Sequence, residues 1–190
     1  MKTGLMALLL AGLGFATLAA ESENLLKNGD FEDGLRHWQV PAWFKNGLTP
    51  EADPGVNQGP GNGSLKLAGR NASQGYVIQQ IVIPADAKRL RISGWMKTQG
   101  FQNAWAARIQ VEIFNAKSEK VGPGFPMITP VRSSDTDWTE YGRDIELPEG
   151  ARYFRVILLT QYPTKPTPNA GIVWFDNIMV TRIAEPEKQE

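Results

Sequence analysis

The sequence predicts an all-β domain, an antiparallel two-sheet β-sandwich, and three observations carry that prediction. Beyond its first 20 residues, the 190-residue chain reads as short extended runs separated by Gly, Pro and Asn clusters. Several of those runs alternate apolar and polar side chains with a period of two, which places one face of a strand on a core and the other on solvent. Almost no stretch carries apolar residues at helical spacing. Strands and turns at such short intervals fit antiparallel meanders and Greek keys.

Taken from the beginning, residues 1–20, MKTGLMALLLAGLGFATLAA, set Lys2 before an apolar run that ends in small residues, the layout of a secretory signal peptide. The expectation is export to the periplasm or the extracellular space. Gly4, Gly12 and Gly14 interrupt the run, which argues against a membrane anchor, and no later apolar stretch approaches the roughly 20 residues that a membrane helix needs. The remaining chain of about 170 residues suits one domain, which at that size buries about 70% of its unfolded surface.

Strands are expected over residues 65–67, 76–83, 89–98, 106–115, 140–147, 152–161 and 171–182. Within 89–98, Leu90, Ile92, Gly94 and Met96 share the face that suits a sandwich interior. Within 106–115 the division is cleaner: Ala107, Ile109, Val111 and Ile113 on one side, Arg108, Gln110, Glu112 and Phe114 on the other. A row of long polar side chains there faces water or a ligand. The turns carry their own chemistry. Residues 59–63, Gly-Pro-Gly-Asn-Gly, supply positive-φ positions, Pro84-Ala85-Asp86 stops one strand, and Pro148-Glu149-Gly150 separates two others. Residues 162–170 hold three prolines and read as a stiff surface loop, and residues 184–190 read as a polar flexible tail.

Charge and composition exclude several function classes. Lysine plus arginine equals aspartate plus glutamate at 20 each, so no net field draws the chain to nucleic acid or anionic lipid, and a neutral partner is expected. Without cysteine there is neither a disulfide framework nor a thiolate metal site. The single histidine, His37, gives no support to a histidine-based triad or a multi-histidine metal site. The glycines of 59–63 lack the following Lys-Ser/Thr and helix of a phosphate loop.

Three sets of segments, in this order, resemble the CenC-type carbohydrate-binding modules, the group that includes families four, nine and twenty-two. The opening NLLKNGDFEDG at residues 24–34, followed by Trp38, is similar to the group's N-x-x-x-N-G-D-F-E-x-G-x-x-x-W start. The middle is GSLKL at 63–67, QQIVI at 79–83 and LRISGWMK at 90–97; the close is WTEY at 138–141, LPEGA at 147–151 and VWFDNI at 173–178. The resemblance spans residues 24–183 and implies a galactose-binding-like jelly roll with a carbohydrate-binding function. It also implies a structural calcium ion clipping the N-terminal motif to the last strand. The matching positions are Asp30 or Glu32, the backbone near Lys66, and Asp176. Modules of this group are usually joined to a glycoside hydrolase, so a hydrolase acting in trans is the implied enzyme partner.

A sugar ring presents an apolar C–H face and an edge of hydroxyls, so its site needs aromatic platforms beside amide, carboxylate or guanidinium groups. The candidates are Trp43 and Trp105 in loop-like surroundings, Arg108, Gln110 and Glu112 along one strand, and Gln161 with Tyr162 leaving another. Trp38, Trp95, Trp138 and Trp174 are expected to be structural. The function expected is non-catalytic binding of a β-linked polysaccharide in a groove on one sheet. The alternative is a jelly-roll module of the cell envelope that binds protein and no sugar. Glycoside hydrolysis ranks lower. It requires two carboxyl groups roughly 5–10 Å apart across a cleft. Asp135, Asp137, Glu140, Asp144, Glu146 and Glu112 offer nominal pairs without a recognisable acid/base motif.

Overall fold

The computed structural model describes residues 23–41, 48–61, 63–69, 74–101, 106–122, 128–129, 134–161 and 171–184. The leader, Trp43, Trp105, Tyr162 and residues 185–190 lie outside them. Among the described residues there is no helix, and no helix is long and apolar enough to cross a membrane. The described residues form eight strands: β1 Leu48–Ala52, β2 Leu65–Gly69, β3 Gln74–Val82, β4 Arg89–Gln99, β5 Ala106–Asn115, β6 Thr136–Glu146, β7 Ala151–Gln161 and β8 Ile172–Arg182. They build a five-stranded sheet, β1-β2-β8-β4-β6, and a three-stranded sheet, β3-β7-β5, with every pairing antiparallel.

The core lies between the two sheets and is made by the alternation read from the sequence. Leu90, Ile92 and Met96 of β4 face Ala107, Ile109 and Val111 of β5, and all are fully buried. Gly94 shares that face because a β-carbon there would sit 2.4 Å from Ile178 Cδ1, so the glycine makes room for a core side chain from β8. Phe154, Val156 and Leu158 of β7 fill the middle. At about 1.5 to 3 kcal/mol for each large apolar side chain removed from water, this layer supplies the main driving force for folding.

In β8 the positions that enter the hydrophobic core run 173, 175 and then 178, 180, so the two-residue period slips once. The slip is a β-bulge: against β4, Ser93 pairs with Met179 but Trp95 pairs with Asp176. Asn177 takes up the irregularity at φ +49, a backbone state that asparagine tolerates better than most residues.

The N-terminal motif is a clip across the bulged strand. Asn24 Nδ2 donates to Ile178 O, and its Oδ1 accepts from the backbone N–H groups of Leu26 and Val180. Asn28 Nδ2 donates to the carbonyls of Gly34 and Arg36, and Asn28 O accepts from the Trp38 indole. Phe31 and Trp38 are buried and stack with their ring centroids 5.3 Å apart. Trp38 is therefore structural, as expected.

Two expectations change. β1 was not anticipated, because Pro50 interrupts its sequence; the strand lies at the edge of its sheet, where a missing N–H costs no ladder bond. Of the glycines at 59, 61 and 63, Gly59 alone has positive φ. The other two serve close approach: a β-carbon would lie 2.3 Å from Glu32 Oε1 at position 61 and 2.6 Å from Phe31 O at position 63. The turns at 84–86 and 148–150 form as expected, closed by Ala87 N to Pro84 O and Ala151 N to Pro148 O.

Candidate functional site

The outward face of the three-stranded sheet gathers the polar row expected on β5. Because the core takes the odd-numbered residues of β5 and β3 and the even-numbered residues of β7, the strand registers set the outward side chains in rows. Tyr76, Leu159 and Arg108 form one row; Ile78, Ile157 and Gln110 the next; Gln80, Arg155 and Glu112 the third; and Val82, Tyr153 and Phe114 the last. Ile157 and Leu159 are 7% and 2% exposed yet stand outside the interior cluster, so they form an apolar floor between polar walls. Gln39 exchanges both backbone hydrogen bonds with Ile78 and so extends this sheet past β3.

The polar groups hold one another in place. Glu112 accepts from Lys120 Nζ at 2.7 Å and from Arg155 Nη1 at 3.3 Å. Arg155 also donates to Gln80 Oε1 at 3.0 Å, and its guanidinium carbon lies 4.4 Å from the Phe114 ring centroid. Arg108 Nε donates to Gln110 Oε1 at 3.1 Å. Burial pushes the Arg108 guanidinium down from its ordinary value. Burial pushes the Tyr76 phenol up, the Glu112 charge adds to this, and Arg155 opposes it.

The structure thus brings Arg108, Gln110 and Glu112 onto one face with side chains that sequence reasoning missed: Tyr76, Gln80, Tyr153 and Arg155. Gln161 ends β7 in register with Gln74 and Ala106, at the edge of the same face, and its side chain lies outside the described residues. Trp43, Trp105 and Tyr162 also lie outside them. Phe114 was visible on this face in the sequence; the β3 and β7 residues were not, since only strand order makes them neighbours.

A second constellation lies beside the β8 bulge. Asp176 is 3% exposed, with Oδ2 accepting from Gln58 N at 2.8 Å and Oδ1 from Asn177 N at 2.6 Å. Burial pushes its carboxyl up to about 6 against the pull of those two hydrogen bonds, and the charges of Asp30 and Glu32 raise it further. Glu32 Oε1 accepts from Gly63 N, and Asn177 Nδ2 donates to the Gln58 carbonyl and side chain. The donor chemistry, all oxygen and no imidazole, is that of a hard cation such as calcium. The spacing as it stands is more open than a closed ligand shell: among the described residues, no three acidic or imidazole side chains converge on one ion. The Lys66 side chain is engaged elsewhere. It sits in register between Glu51 and Trp174, and its ammonium pairs with Glu51 at 2.8 Å and Asp53 at 3.7 Å.

Three of the carboxylates that the sequence offers for acid/base chemistry are held by cations. Glu112 is held by two cations, Asp144 by Arg91, and the Lys97 hydrogen bond holds Asp137 below the usual carboxylate range, whereas a general acid needs its pKa raised. A cleft of about 720 Å³ at the Arg182–Asp86 ion pair has no aromatic side chain among the described residues of its lining, and these offer a sugar no stacking platform.

No family model matches the chain, and no curated protein does. Solved structures do match in fold. The CBM22-1 xylan-binding domain of Paenibacillus barcinonensis Xyn10C superposes with a TM-score of 0.58 at 16% identity, covering 87% of this chain and 97% of that one. TmCBM61, solved in complex with beta-1,4-galactotriose, gives 0.59 at 17% identity over 85% of this chain and all of that one. The enzymatically active domain of bacteriophage CBA120 tailspike protein 4 gives 0.65 at 14% identity, but this chain spans only 21% of its length. The fold is the β-sandwich of carbohydrate-binding modules.

Proposed function

We propose that this protein is an exported, non-catalytic carbohydrate-binding module that holds a β-linked polysaccharide on the outward face of the three-stranded sheet. One observation carries the reading: a buried apolar floor, Ile157 and Leu159, runs between tyrosine side chains and amide and guanidinium groups that hydrogen-bond one another. A pyranose ring needs that combination. Its C–H face lies on Tyr76 and the floor, while its hydroxyls meet Gln80, Gln110 and Arg108. Trp43, Trp105 and Tyr162 are proposed as further stacking platforms, and Gln161 as a further polar contact. Because its partners already hold Arg155 and Glu112, little side-chain freedom is lost on binding.

Asp176 with Asp30 or Glu32, and the backbone near Lys66, is proposed to hold a structural calcium ion. When bound, the ion would neutralise the carboxylates that hold it and tie the N-terminal clip to the bulge of β8. The module is proposed to localise a glycan, with a glycoside hydrolase acting in trans as its enzyme partner.

The test is retardation of the chain from Glu21 onward in native gels containing xylan, β-glucan, mannan or galactan, with and without calcium. Retardation by at least one polymer is expected. A folded sample that none of them retards would overturn the reading in favour of a protein-binding jelly roll.

A further inference from the structure

We infer that the outward face of the three-stranded sheet seats an acyl ester of the glycan, such as an O-acetyl group, with its carbonyl on Gln110 and its methyl on the apolar floor. This rests on the carbohydrate-binding reading above and narrows its ligand class to a glycan whose hydroxyls are partly esterified.

Gln110 and Glu112 are the buried polar side chains described on this face, 7% and 8% exposed. Both oxygens of Glu112 are engaged, one by Lys120 and the other by Arg155. Gln110 is engaged at one end only. Its Oε1 accepts from Arg108 Nε at 3.1 Å, which leaves Nε2 as the free end of the amide. No described residue accepts from Nε2. A buried amide N–H is as a rule hydrogen-bonded, so this donor is one that a ligand can complete.

The surroundings of that donor are apolar. Strand register sets Gln110 beside Ile157 and, beyond it, Ile78, with Leu159 two positions further along β7 on the same face. The amide and carboxylate oxygens of the next row already accept from cations: Gln80 Oε1 from Arg155, and Glu112 from Arg155 and Lys120.

A hydroxyl seated at Gln110 accepts one hydrogen bond but turns its own O–H toward isoleucine and leucine side chains, and burying a donor without a partner is costly. An ester carbonyl accepts the same bond and has no hydrogen to place. Its methyl gains further by leaving water for Ile157 and Leu159. In this arrangement the ester takes the place of one ring hydroxyl, and the neighbouring hydroxyls keep their contacts with Gln80 and Arg108.

The experiment is calorimetric titration of the chain from Glu21 onward with O-acetylated xylo- and manno-oligosaccharides, and with the same oligosaccharides after alkaline saponification. Saponification is expected to weaken binding of at least one of the two by about ten-fold, the combined loss of a hydrogen bond and a buried methyl. Gln110→Glu, which replaces the Nε2 donor with an acceptor and still offers Arg108 a partner, should erase the preference. Arg91→Gln, on the outward side of the other sheet, should leave it unchanged. A second measurement on the parent chain, saturation-transfer NMR, should find the strongest transfer at the acetyl methyl protons. Equal affinity for acetylated and saponified forms, a preference that Gln110→Glu does not move, or saturation confined to ring protons would overturn the inference while leaving carbohydrate binding intact. Failure to bind any oligosaccharide or polymer in either form would instead sink the carbohydrate-binding reading itself.

Discussion

Replacing Gly29 with alanine is expected to destabilise the protein by about 3 kcal/mol or more, lowering its melting temperature by about 10 °C. A β-carbon at this position would lie 2.0 Å from the carbonyl oxygen of Ile178 and 3.0 Å from its carbonyl carbon. Both are backbone atoms, so no rotamer change can relieve the clash. The same two residues are joined by the Ile178 N to Gly29 O hydrogen bond at 2.8 Å. Moving the N-terminal segment away from β8 would break that bond and also the Asn24 bonds to Ile178 and Val180. Urea denaturation checks this. Gly94→Ala is the useful contrast, because its closest obstacle is the Ile178 Cδ1 methyl, which can give way.

Removal of the proposed calcium ion is expected to destabilise the protein at neutral pH and to invert its pH dependence between about pH 4 and 6. Asp176 is raised from its ordinary 3.8 to about 6 in the folded, ion-free chain. Within that window the folded state holds a proton that the unfolded state has lost, so ion-free stability falls as pH rises. The penalty is complete above about pH 6 and amounts to roughly 3 kcal/mol, to order of magnitude. It is relieved as pH falls toward 4, the reverse of the behaviour of Asp53. There burial is the largest influence and pushes the carboxyl up, yet hydrogen bonds from Trp174 and Gly55 and the Lys66 charge outweigh it, and the pKa ends lowered. Bound calcium favours the ionised carboxylates, so saturation should raise the melting temperature most at neutral pH and little near pH 4. Thermal melts with calcium or chelator across this range check the prediction. A melting temperature indifferent to calcium at pH 7 would remove the ion from the account.

The fold was legible because strands speak locally. The alternation of Leu90, Ile92 and Met96, and that of Ile109, Val111 and Ile113, marks the interior face wherever the strand sits. β1 was silent because an edge strand can carry Pro50 and Glu51 without an apolar face. The start of β6 was missed for a related reason: it is the other edge of the same sheet, and residues 136–139 are mainly polar.

The site was half legible. Arg108, Gln110 and Glu112 announce themselves as one stripe of one strand. Their partners Gln80 and Arg155 lie on β3 and β7, and nothing local reveals that β7 sits between β3 and β5. The contact from Gln58 to Asp176 spans 118 positions and depends on a bulge. In the sequence, that bulge showed only as a slip in spacing between Phe175 and Ile178.

The most direct test of the central claim is calorimetric titration of a polysaccharide that the protein retains into three samples: the parent chain, Arg108→Ala/Gln110→Ala, and Arg91→Ala/Asp144→Ala. The last pair removes an ion pair from the outward side of the five-stranded sheet. If the glycan lies on the three-stranded sheet, the first double variant should lose affinity by about ten-fold or more while still folded, and the second should bind like the parent. Undiminished binding by the first variant, or loss confined to the second, would contradict the account.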